Sequence, residues 1–247
     1  MPDIVSIGEL LVDFTYVSGE NGDTFYKQNA GGAPANVMCM AAKLGAKTGF
    51  IGKIGRDMFG FYLKEVLTRH KVDTSGLILD PNYSTTLAFV RNSADGDRDF
   101  VFYRSSQTSA DLNLRYGEVN RQLIDSCRIF HFGSLSLTDE PSRTATVNAV
   151  EYAKMQEKIV TYDPNWRPHL WENKEAAIRT MHSAAQYADI VKVSELELQL
   201  LSDSGALIPG VAKLLQMGVK IICVTQGAKG CIIATPKGIN RFPAYKT

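Results

Sequence analysis

Residues 31–36, Gly-Gly-Ala-Pro-Ala-Asn, have the composition of a polar pocket at the start of a helix. Gly31 and Gly32 let the backbone approach a ligand with no side chain in the way. Pro34 suits the first helical turn, where its missing N–H costs no hydrogen bond, and Asn36 then lies on that same turn. Since a helix N-terminus presents unpaired N–H groups, the run predicts a ligand pocket. A tight turn into a helix would use the same residues.

Polar side chains also follow two strand-like runs. Asp13 comes after the run 4–7, and a carboxylate at the carboxyl end of a parallel strand suits the ligand crevice of α/β folds. Its oxygens can accept hydrogen bonds from sugar hydroxyls, and a solvated loop aspartate is the alternative. Residues 163–167, Asp-Pro-Asn-Trp-Arg, follow the run 159–162, and extended backbone there would turn alternate side chains the same way. We expect this segment to face a ligand.

Three other stretches each have a functional and a purely structural interpretation. Tyr103 and Arg104 end a strand, where they offer an oxygen-rich ligand a wall and a cationic fork, or form an ordinary edge-strand pair. Ser194 and Glu197 have the spacing of a capping box, but Glu197 could instead hold a hydrated Mg²⁺ near phosphates. Residues 225–230, Thr-Gln-Gly-Ala-Lys-Gly, form a turn that admits nucleotide phosphates or simply joins two strands.

The composition is that of an ordinary globular protein of 247 residues, 45% hydrophobic and 21% charged. A net charge of +1 gives no electrostatic basis for a nucleic acid or a membrane surface as partner. The sequence has neither a bilayer-spanning apolar run nor a signal peptide pattern, so we expect a cytoplasmic protein. Its four cysteines form no Cys-x-x-Cys pair, which favours reduced thiols over disulfides or a zinc site.

The polar groups require a scaffold, and the alternation of strand-like and helix-like segments predicts a doubly wound α/β sheet. The strand-like runs are near-continuously apolar, which predicts burial on both faces. These runs are 4–7, 129–132, 159–162, 190–193 and 221–224. The helix-like segments are roughly 34–44, 57–70, 141–157, 173–187 and 209–217.

Two stretches interrupt this rhythm, at about 14–30 and 85–105. Both have strand and turn composition, and a polar Asp95-Gly96 turn in the second predicts an antiparallel hairpin. We expect a small antiparallel β subdomain beside the main sheet. A β flap over an α/β pocket would act as a lid that excludes water.

Together these segments resemble the ribokinase (pfkB) family of carbohydrate kinases, and most closely its bacterial fructokinases. Residues 31–60 resemble the first signature of the family, and 8–13, Gly-Glu-Leu-Leu-Val-Asp, its first strand and sugar-binding aspartate. Residues 102–104, 131–134 and 163–168 are similar to fructokinase segments. Ser194 to Glu197 resembles the Asn-x-x-Glu motif with Ser for Asn, and 224–230 resembles the nucleotide-binding turn. The motifs run in the family's order from residue 4 onwards.

The resemblance implies a ribokinase-like three-layer α/β/α fold over residues 1–247 and ATP-dependent phosphorylation of fructose to fructose 6-phosphate. A 2-keto-3-deoxygluconate kinase is the alternative within the family. The resemblance also implies a homodimer formed through the lid, ATP and Mg²⁺ as cofactors, and Glu197 as the residue that keeps Mg²⁺ in place. The sugar site would consist of Asp13, Gly31, Gly32, Asn36, Tyr103, Arg104 and Arg167. The nucleotide would lie along Asn165, Ser194, Thr225, Gly227 and Gly230.

One departure from the family pattern concerns catalysis. The second family signature, Asp-x-x-Gly-Ala-Gly-Asp, supplies an aspartate base and an anion hole of glycine N–H groups, and no such run occurs among the 247 residues. We therefore expect the base in a segment beyond Thr247, so that the sequence is a fragment of a fructokinase-like enzyme. The alternative is a non-catalytic sugar-binding protein derived from the kinase fold.

Overall fold

The computed structural model describes residues 1–19, 21, 23–92 and 98–245, with residues 92 and 98–100 described by their backbone alone. The predicted Asp95-Gly96 turn lies outside these residues. The strands are β1 (Ile4–Ile7), β2 (Leu11–Ser18), β3 (Thr24–Gly31), β4 (Thr48–Gly55), β5 (Val72–Asp80), β6 (Leu87–Asn92), β7 (Arg98–Tyr103), β8 (Ile129–Gly133), β9 (Ile159–Asp163), β10 (Ile190–Ser194), β11 (Ile221–Thr225), β12 (Cys231–Thr235) and β13 (Gly238–Phe242). The helices are α1 (Ala33–Lys43), α2 (Met58–Arg69), α3 (Arg121–Ser126), α4 (Ser142–Met155), α5 (Lys174–Ala185), α6 (Glu195–Ser202) and α7 (Leu207–Gln216).

A nine-stranded sheet with the order β13-β12-β11-β10-β9-β8-β1-β4-β5 forms the centre of the fold. The seven strands from β5 to β11 are parallel, and β12 and β13 return antiparallel at one edge. The chain therefore winds outwards from β1 in both directions, to β4 and β5 on one side and to β8 through β11 on the other. This is the predicted ribokinase-like α/β fold, with a sheet that is mixed rather than wholly parallel.

Helices cover this sheet in two groups, each with its own apolar core. Met38 of α1 and Leu63 of α2 pack with Phe50 of β4 in one core cluster. Ala149 of α4 and Met181 of α5 belong to the other, together with residues of β8 to β12. The predicted three-layer arrangement is thus confirmed. None of the helices in the described part of the chain is long and apolar enough to cross a bilayer.

Burial differs along the sheet. All eight residues of β4 are buried, as expected for a strand covered on both faces. In β10, by contrast, Val191 and Val193 are buried while Lys192 between them is only partly buried, and β9, β11 and β12 alternate in the same way. The predicted burial on both faces is right for β1 and β8, in which every residue after the first is buried. It is wrong for β9, β10 and β11, where one face carries polar or partly exposed side chains.

A second, four-stranded sheet with the order β3-β2-β6-β7 forms the lid. The pairs β2–β3 and β6–β7 are antiparallel hairpins, but β2 and β6 are parallel to each other. The prediction of an antiparallel lid is wrong for this central pair. Both strands leave the main body in the same direction, so the two hairpins meet with their first strands side by side.

Candidate active site

A cleft of about 490 Å³ lies between the lid and the main sheet, at the carboxyl end of β1. Because connections from β1 diverge to both sides of the sheet, this is where α/β folds open a ligand crevice. Its walls come from the lid strands, the start of α1 and the segment that follows β9. The lining residues are Glu9, Leu11, Asp13, Thr15, Asn29, Gly32, Ala33, Asn36, Val90, Phe102, Leu135, Asn165 and Arg167.

The glycine pair between β3 and α1 permits the close contacts of this wall. A Cβ on Gly31 would collide with the Asp13 carboxylate. Gly32 has a φ of 107°, and a Cβ there would collide with the backbone carbonyl oxygen of Glu9. A side chain at position 31 would therefore displace the Asp13 carboxylate, while position 32 requires glycine because of both its backbone conformation and the close backbone contact.

The first turn of α1 completes the wall as the sequence predicted. Pro34 lies in this turn, and the backbone N–H of Asn36 donates to the carbonyl oxygen of Gly32 at 2.9 Å. Of the four sugar residues predicted in this region, Asp13, Gly32 and Asn36 line the cleft. Gly31 lies behind them, beside the Asp13 carboxylate.

Glu9 also lines the cleft, although its sequence context predicted no role for it apart from the segment 8–13. Its side chain is 1% exposed, its Oε1 accepts the backbone N–H of Ala33 at 2.8 Å, and its Oε2 has no hydrogen-bond partner among the described residues. Burial raises the pKa of Glu9 from 4.5 to about 7, against the opposing effects of backbone N–H groups and of the Arg104 charge. The only sequence signal was its place two residues after β1, where α/β ligand sites form.

Neither Tyr103 nor Arg104 lines the cleft itself. Strand alternation turns Phe102 towards the cleft and Tyr103 to the other lid face, where its ring lies 5.5 Å from that of Phe89. The Arg104 side chain is 2% exposed and its Nε donates to Asp111 Oδ2 at 2.7 Å. Sugar contacts by these two residues stay predictions that this geometry does not favour.

The segment after β9 contributes Asn165 and Arg167 to the cleft. Asn165 has a left-handed backbone with a φ of 43°, and its N–H donates to Asp163 Oδ1 at 3.1 Å. This turn brings the side chains of Asn165 and Arg167 to the same space as Asp13. Asn165, predicted for the nucleotide, therefore shares the cleft with residues predicted for the sugar.

Glu197 is engaged in the capping box of α6. Its Oε2 accepts the N–H and the hydroxyl of Ser194 at 2.7 and 2.9 Å, and its Oε1 accepts the N–H of Trp166 at 2.8 Å. These bonds use both carboxylate oxygens of a buried side chain, so Glu197 fits a hydrated Mg²⁺ poorly. Over the described residues, no three His, Cys, Asp or Glu side chains are grouped to hold a metal ion. The predicted Mg²⁺ role of Glu197 stays a prediction.

Asp163 and Lys192 set the charge beside this capping box. Lys192 Nζ lies 3.1 Å from Asp163 Oδ2. Burial raises the pKa of Asp163 and the Glu197 charge adds to the rise, while Lys192 opposes it. Two acidic side chains, Asp163 and Glu197, therefore interact beside the carboxyl ends of β9 and β10, and the Lys192 ammonium group pairs with Asp163.

The turn at 225–230 joins two antiparallel strands, as its structural interpretation predicted. Gly230 has a φ of 95°, and a Cβ there would collide with the backbone carbonyl oxygen of Phe242. Gly227 also has a positive φ, of 55°. Thr225 is paired with Ser194 in the parallel register of β10 and β11, and its hydroxyl donates to the carbonyl oxygen of Val193 at 3.3 Å. The predicted nucleotide residues Ser194 and Thr225 are thus neighbours at the carboxyl ends of two adjacent strands, β10 and β11.

Known proteins share both the sequence pattern and the fold of this chain. Residues 1–247 match the pfkB family carbohydrate kinases. The chain belongs to this family. It is 43% identical over 250 residues to the probable fructokinase-5 of Arabidopsis thaliana, covering 99% of this chain and 76% of the relative.

Two solved structures share the fold over nearly the whole chain. The fructokinase of Xylella fastidiosa with bound ATP has a TM-score of 0.90 at 31% identity, covering 100% of this chain and 76% of that one. A double mutant of the Vibrio cholerae O395 fructokinase, solved with fructose, ADP and potassium ion, has a TM-score of 0.87 at 30% identity, covering 99% and 77%. The predicted membership of the family and the predicted resemblance to fructokinases are confirmed.

Proposed function

We propose that this chain binds fructose in the cleft under the lid and ATP along the neighbouring strand ends, for transfer of the γ-phosphoryl group to a sugar hydroxyl. The observation that carries the proposal is the convergence of Asp13, Asn36, Asn165 and Arg167 on one cleft from separate parts of the chain. Relatives and solved structures named as fructokinases favour fructose among sugars.

The chemistry of these side chains suits a polyhydroxylated ligand. An ionised carboxylate such as that of Asp13 accepts hydroxyl hydrogens, while Asn36 and Asn165 both donate and accept, and Arg167 only donates. A sugar hydroxyl is donor and acceptor at once, so it can use every group in this set. The lid covers the cleft from the other side and would exclude water that competes with a hydroxyl for the phosphoryl group.

The order of strands favours a nucleotide path away from the cleft. Asn165, Ser194 and Thr225 follow or end β9, β10 and β11, which are successive strands of the sheet. A nucleotide with its γ-phosphate near Asn165 would run past Ser194 to the turn with Gly227 and Gly230. A crystallised relative with bound ATP supports this part of the proposal.

The residues described here would bind and orient the two substrates. Phosphoryl transfer also needs stabilisation of charge and a base that orients the attacking hydroxyl. The family resemblance implies an aspartate and glycine N–H groups for these tasks, in a signature that the 247 residues do not include. Mg²⁺ bound to ATP would neutralise phosphate charge, and we assign no step to Glu197.

We also propose a homodimer formed through the lid. The lid face opposite the cleft carries Tyr26, Val101 and Tyr103, which are 49%, 54% and 65% exposed. Such a cluster of exposed apolar side chains is typical of an interaction surface. Light scattering after size exclusion would test this proposal, with Tyr103→Ser expected to shift the mass towards a monomer.

Isothermal titration with fructose and with ATP, followed by a coupled assay for ADP release, tests the main proposal. Fructose binding that 2-keto-3-deoxygluconate does not match would support the fructose assignment. Turnover of fructose, ATP and Mg²⁺ would support the kinase activity of this chain. Binding of fructose without turnover would favour the alternative function, a non-catalytic sugar-binding protein. Failure to bind either substrate would overturn the proposal.

A further inference from the structure

Arg104 joins the lid to the wall of the cleft. It follows the last residue of β7, and its guanidinium group is buried. Besides Asp111, it donates from Nη1 to Thr138 Oγ1 and from Nη2 to the carbonyl oxygen of Leu135, both at 2.9 Å. Leu135 lines the cleft. One side chain therefore links the end of a lid strand to the main body.

Asp111 extends this link to a second lid strand. Its Oδ2 accepts from Arg104, and its Oδ1 accepts the hydroxyl of Thr86 at 2.5 Å. Thr86 immediately precedes β6, so one buried carboxylate holds both ends of the β6–β7 hairpin where it meets the main body. Hydrogen bonds between charged, buried groups are stronger than those between neutral groups. The base of the β6–β7 hairpin, where the lid would hinge on the main body, is therefore restrained.

Glu9 occupies the corresponding place at the other hairpin. It lies just before β2, and through Ala33 it holds the turn by which β3 passes into α1. The charges of Arg104 and Asp111 both act on its carboxyl group. The points at which the two lid hairpins leave and rejoin the main body are thus held by three buried ionisable side chains.

We propose that Arg104, Asp111 and Glu9 are positioning residues that set the lid over the cleft and thereby control sugar affinity, Arg104 and Asp111 without contacting the sugar. This inference rests on the proposed binding of fructose in that cleft. The cluster uses the hydrogen-bonding groups of Arg104 for the protein itself, which explains why its guanidinium group does not line the cleft. A shift of this hinge would move Phe102 and Leu135, and both of these residues line the cleft.

Arg104→Lys tests the cluster because lysine keeps the charge and loses the planar fork. Arg143→Lys is the matched control, since Arg143 also donates to carbonyl oxygens of this turn, those of Leu137 and Thr138, but makes no contact with the lid in the described residues. We expect Arg104→Lys to weaken fructose binding about tenfold and to leave ATP binding within about twofold, and Arg143→Lys to change neither beyond about twofold.

Unchanged fructose affinity in Arg104→Lys, or an equal loss for both ligands, would overturn the inference. Thr86→Val removes only the hydroxyl that holds β6, and an effect of about threefold on fructose alone is expected even if Arg104→Lys does not fold. Glu9→Gln keeps an acceptor for the Ala33 N–H, so it should retain fructose affinity within about threefold at pH 6, whereas Glu9→Ala should not.

Hydrogen–deuterium exchange separates this inference from the proposed function. Peptides covering β6 and β7 are expected to exchange faster in Arg104→Lys than in the unchanged protein or in Arg143→Lys, with no ligand present. If the unchanged protein does not bind fructose, the proposed function fails while this comparison still decides whether the cluster holds the lid. Equal exchange in all three proteins would overturn the cluster.

Discussion

The two halves of the candidate site are built differently. On the sugar side, residues from the lid, α1 and the segment after β9 meet in one cleft, and β4 nearby is buried along its whole length. On the nucleotide side, Ser194 and Glu197 form the cap of one helix, while Glu197 and Thr225 also bond to the backbone of neighbouring segments, at Trp166 and Val193. The sugar half is thus a cleft between the lid and the main body, while the nucleotide half consists of hydrogen-bonded ends of adjacent strands.

Removing the Asp13 carboxylate should separate the two halves most clearly. Asp13→Ala is expected to weaken fructose binding by at least about 100-fold, because hydrogen bonds to a charged group are lost in a covered cleft. ATP affinity should stay within about threefold. Titration calorimetry measures both, with the exposed lid residue Asp23→Ala as the control. A parallel loss of ATP binding would show that the halves are not independent.

The raised pKa of the Glu9 carboxyl group predicts a pH-dependent stability of the protein. Its folded pKa of about 7 lies above the usual 4.5, so the folded state holds the proton more tightly and loses stability as pH rises between these values. Relative to Glu9→Gln, the free energy of unfolding should fall by up to about 3 kcal/mol from pH 4.5 to 8.

The charged groups that face Glu9 are present in both the unchanged protein and Glu9→Gln. Arg104 and Asp111 act on its carboxyl group, and Asp13 and Arg167 line the same cleft. Urea denaturation at several pH values measures the difference between the two proteins. A difference that does not vary with pH would exclude Glu9 as the titrating group.

A methyl group at Gly32 should test how tightly the sugar half is packed. Gly32→Ala is expected to lower the free energy of unfolding by about 2–3 kcal/mol, from a positive φ and from collision with the Glu9 carbonyl oxygen. Gly45→Ala is the matched control, with a φ of 96° and no atom within 4 Å of the added methyl group. Its cost should be about 1 kcal/mol. Equal costs would mean that the turn yields to the side chain.

The smallest expected effect distinguishes a cap from a ligand contact in the nucleotide half. Ser194→Ala should lower the free energy of unfolding by about 1 kcal/mol through loss of the helix cap. Asn173→Ala removes an equivalent cap, that of α5, where the side chain accepts the Ala176 N–H at 2.8 Å. A loss of ATP affinity in Ser194→Ala alone would place the nucleotide at this helix. Equal ATP affinity in both variants would leave Ser194 with a structural role.

Much of the scaffold was predictable from local sequence patterns. The β-branched runs at 4–7, 129–132, 159–162, 190–193 and 221–224 are all strands of the main sheet. β4 and β5 were not predicted as strands, because Gly49, Gly52 and Gly55 make β4 atypical of a strand sequence. A Cβ at Gly52 would collide with the backbone carbonyl oxygen of Gly8, and one at Gly55 with the backbone of Ser84 and Thr85. Only the tertiary structure shows these close approaches.

The candidate site was predictable as a set of segments and less so as side chains. Gly32 and Asn36 both line the cleft because the turn into α1 fixes their relation, while Asp13 reaches the cleft from β2 of the lid. The phase of a strand cannot be taken from its composition, so Tyr103 was preferred to its neighbour Phe102, which faces the cleft. No sequence pattern predicts the pairing of Arg104 with Asp111 across a loop.

The parallel pair at the centre of the lid also bears on the order in which the protein folds. Val12 of β2 is paired with Leu87 of β6, and the chain between them contains α1, β4, α2 and β5. Closing so long a loop is entropically costly until the intervening elements have compacted. The β2–β3 hairpin and the β6–β7 hairpin can form early, but they can pair with each other only after α1, β4, α2 and β5 have folded. The lid sheet would accordingly be among the last structures to assemble and among the first to open.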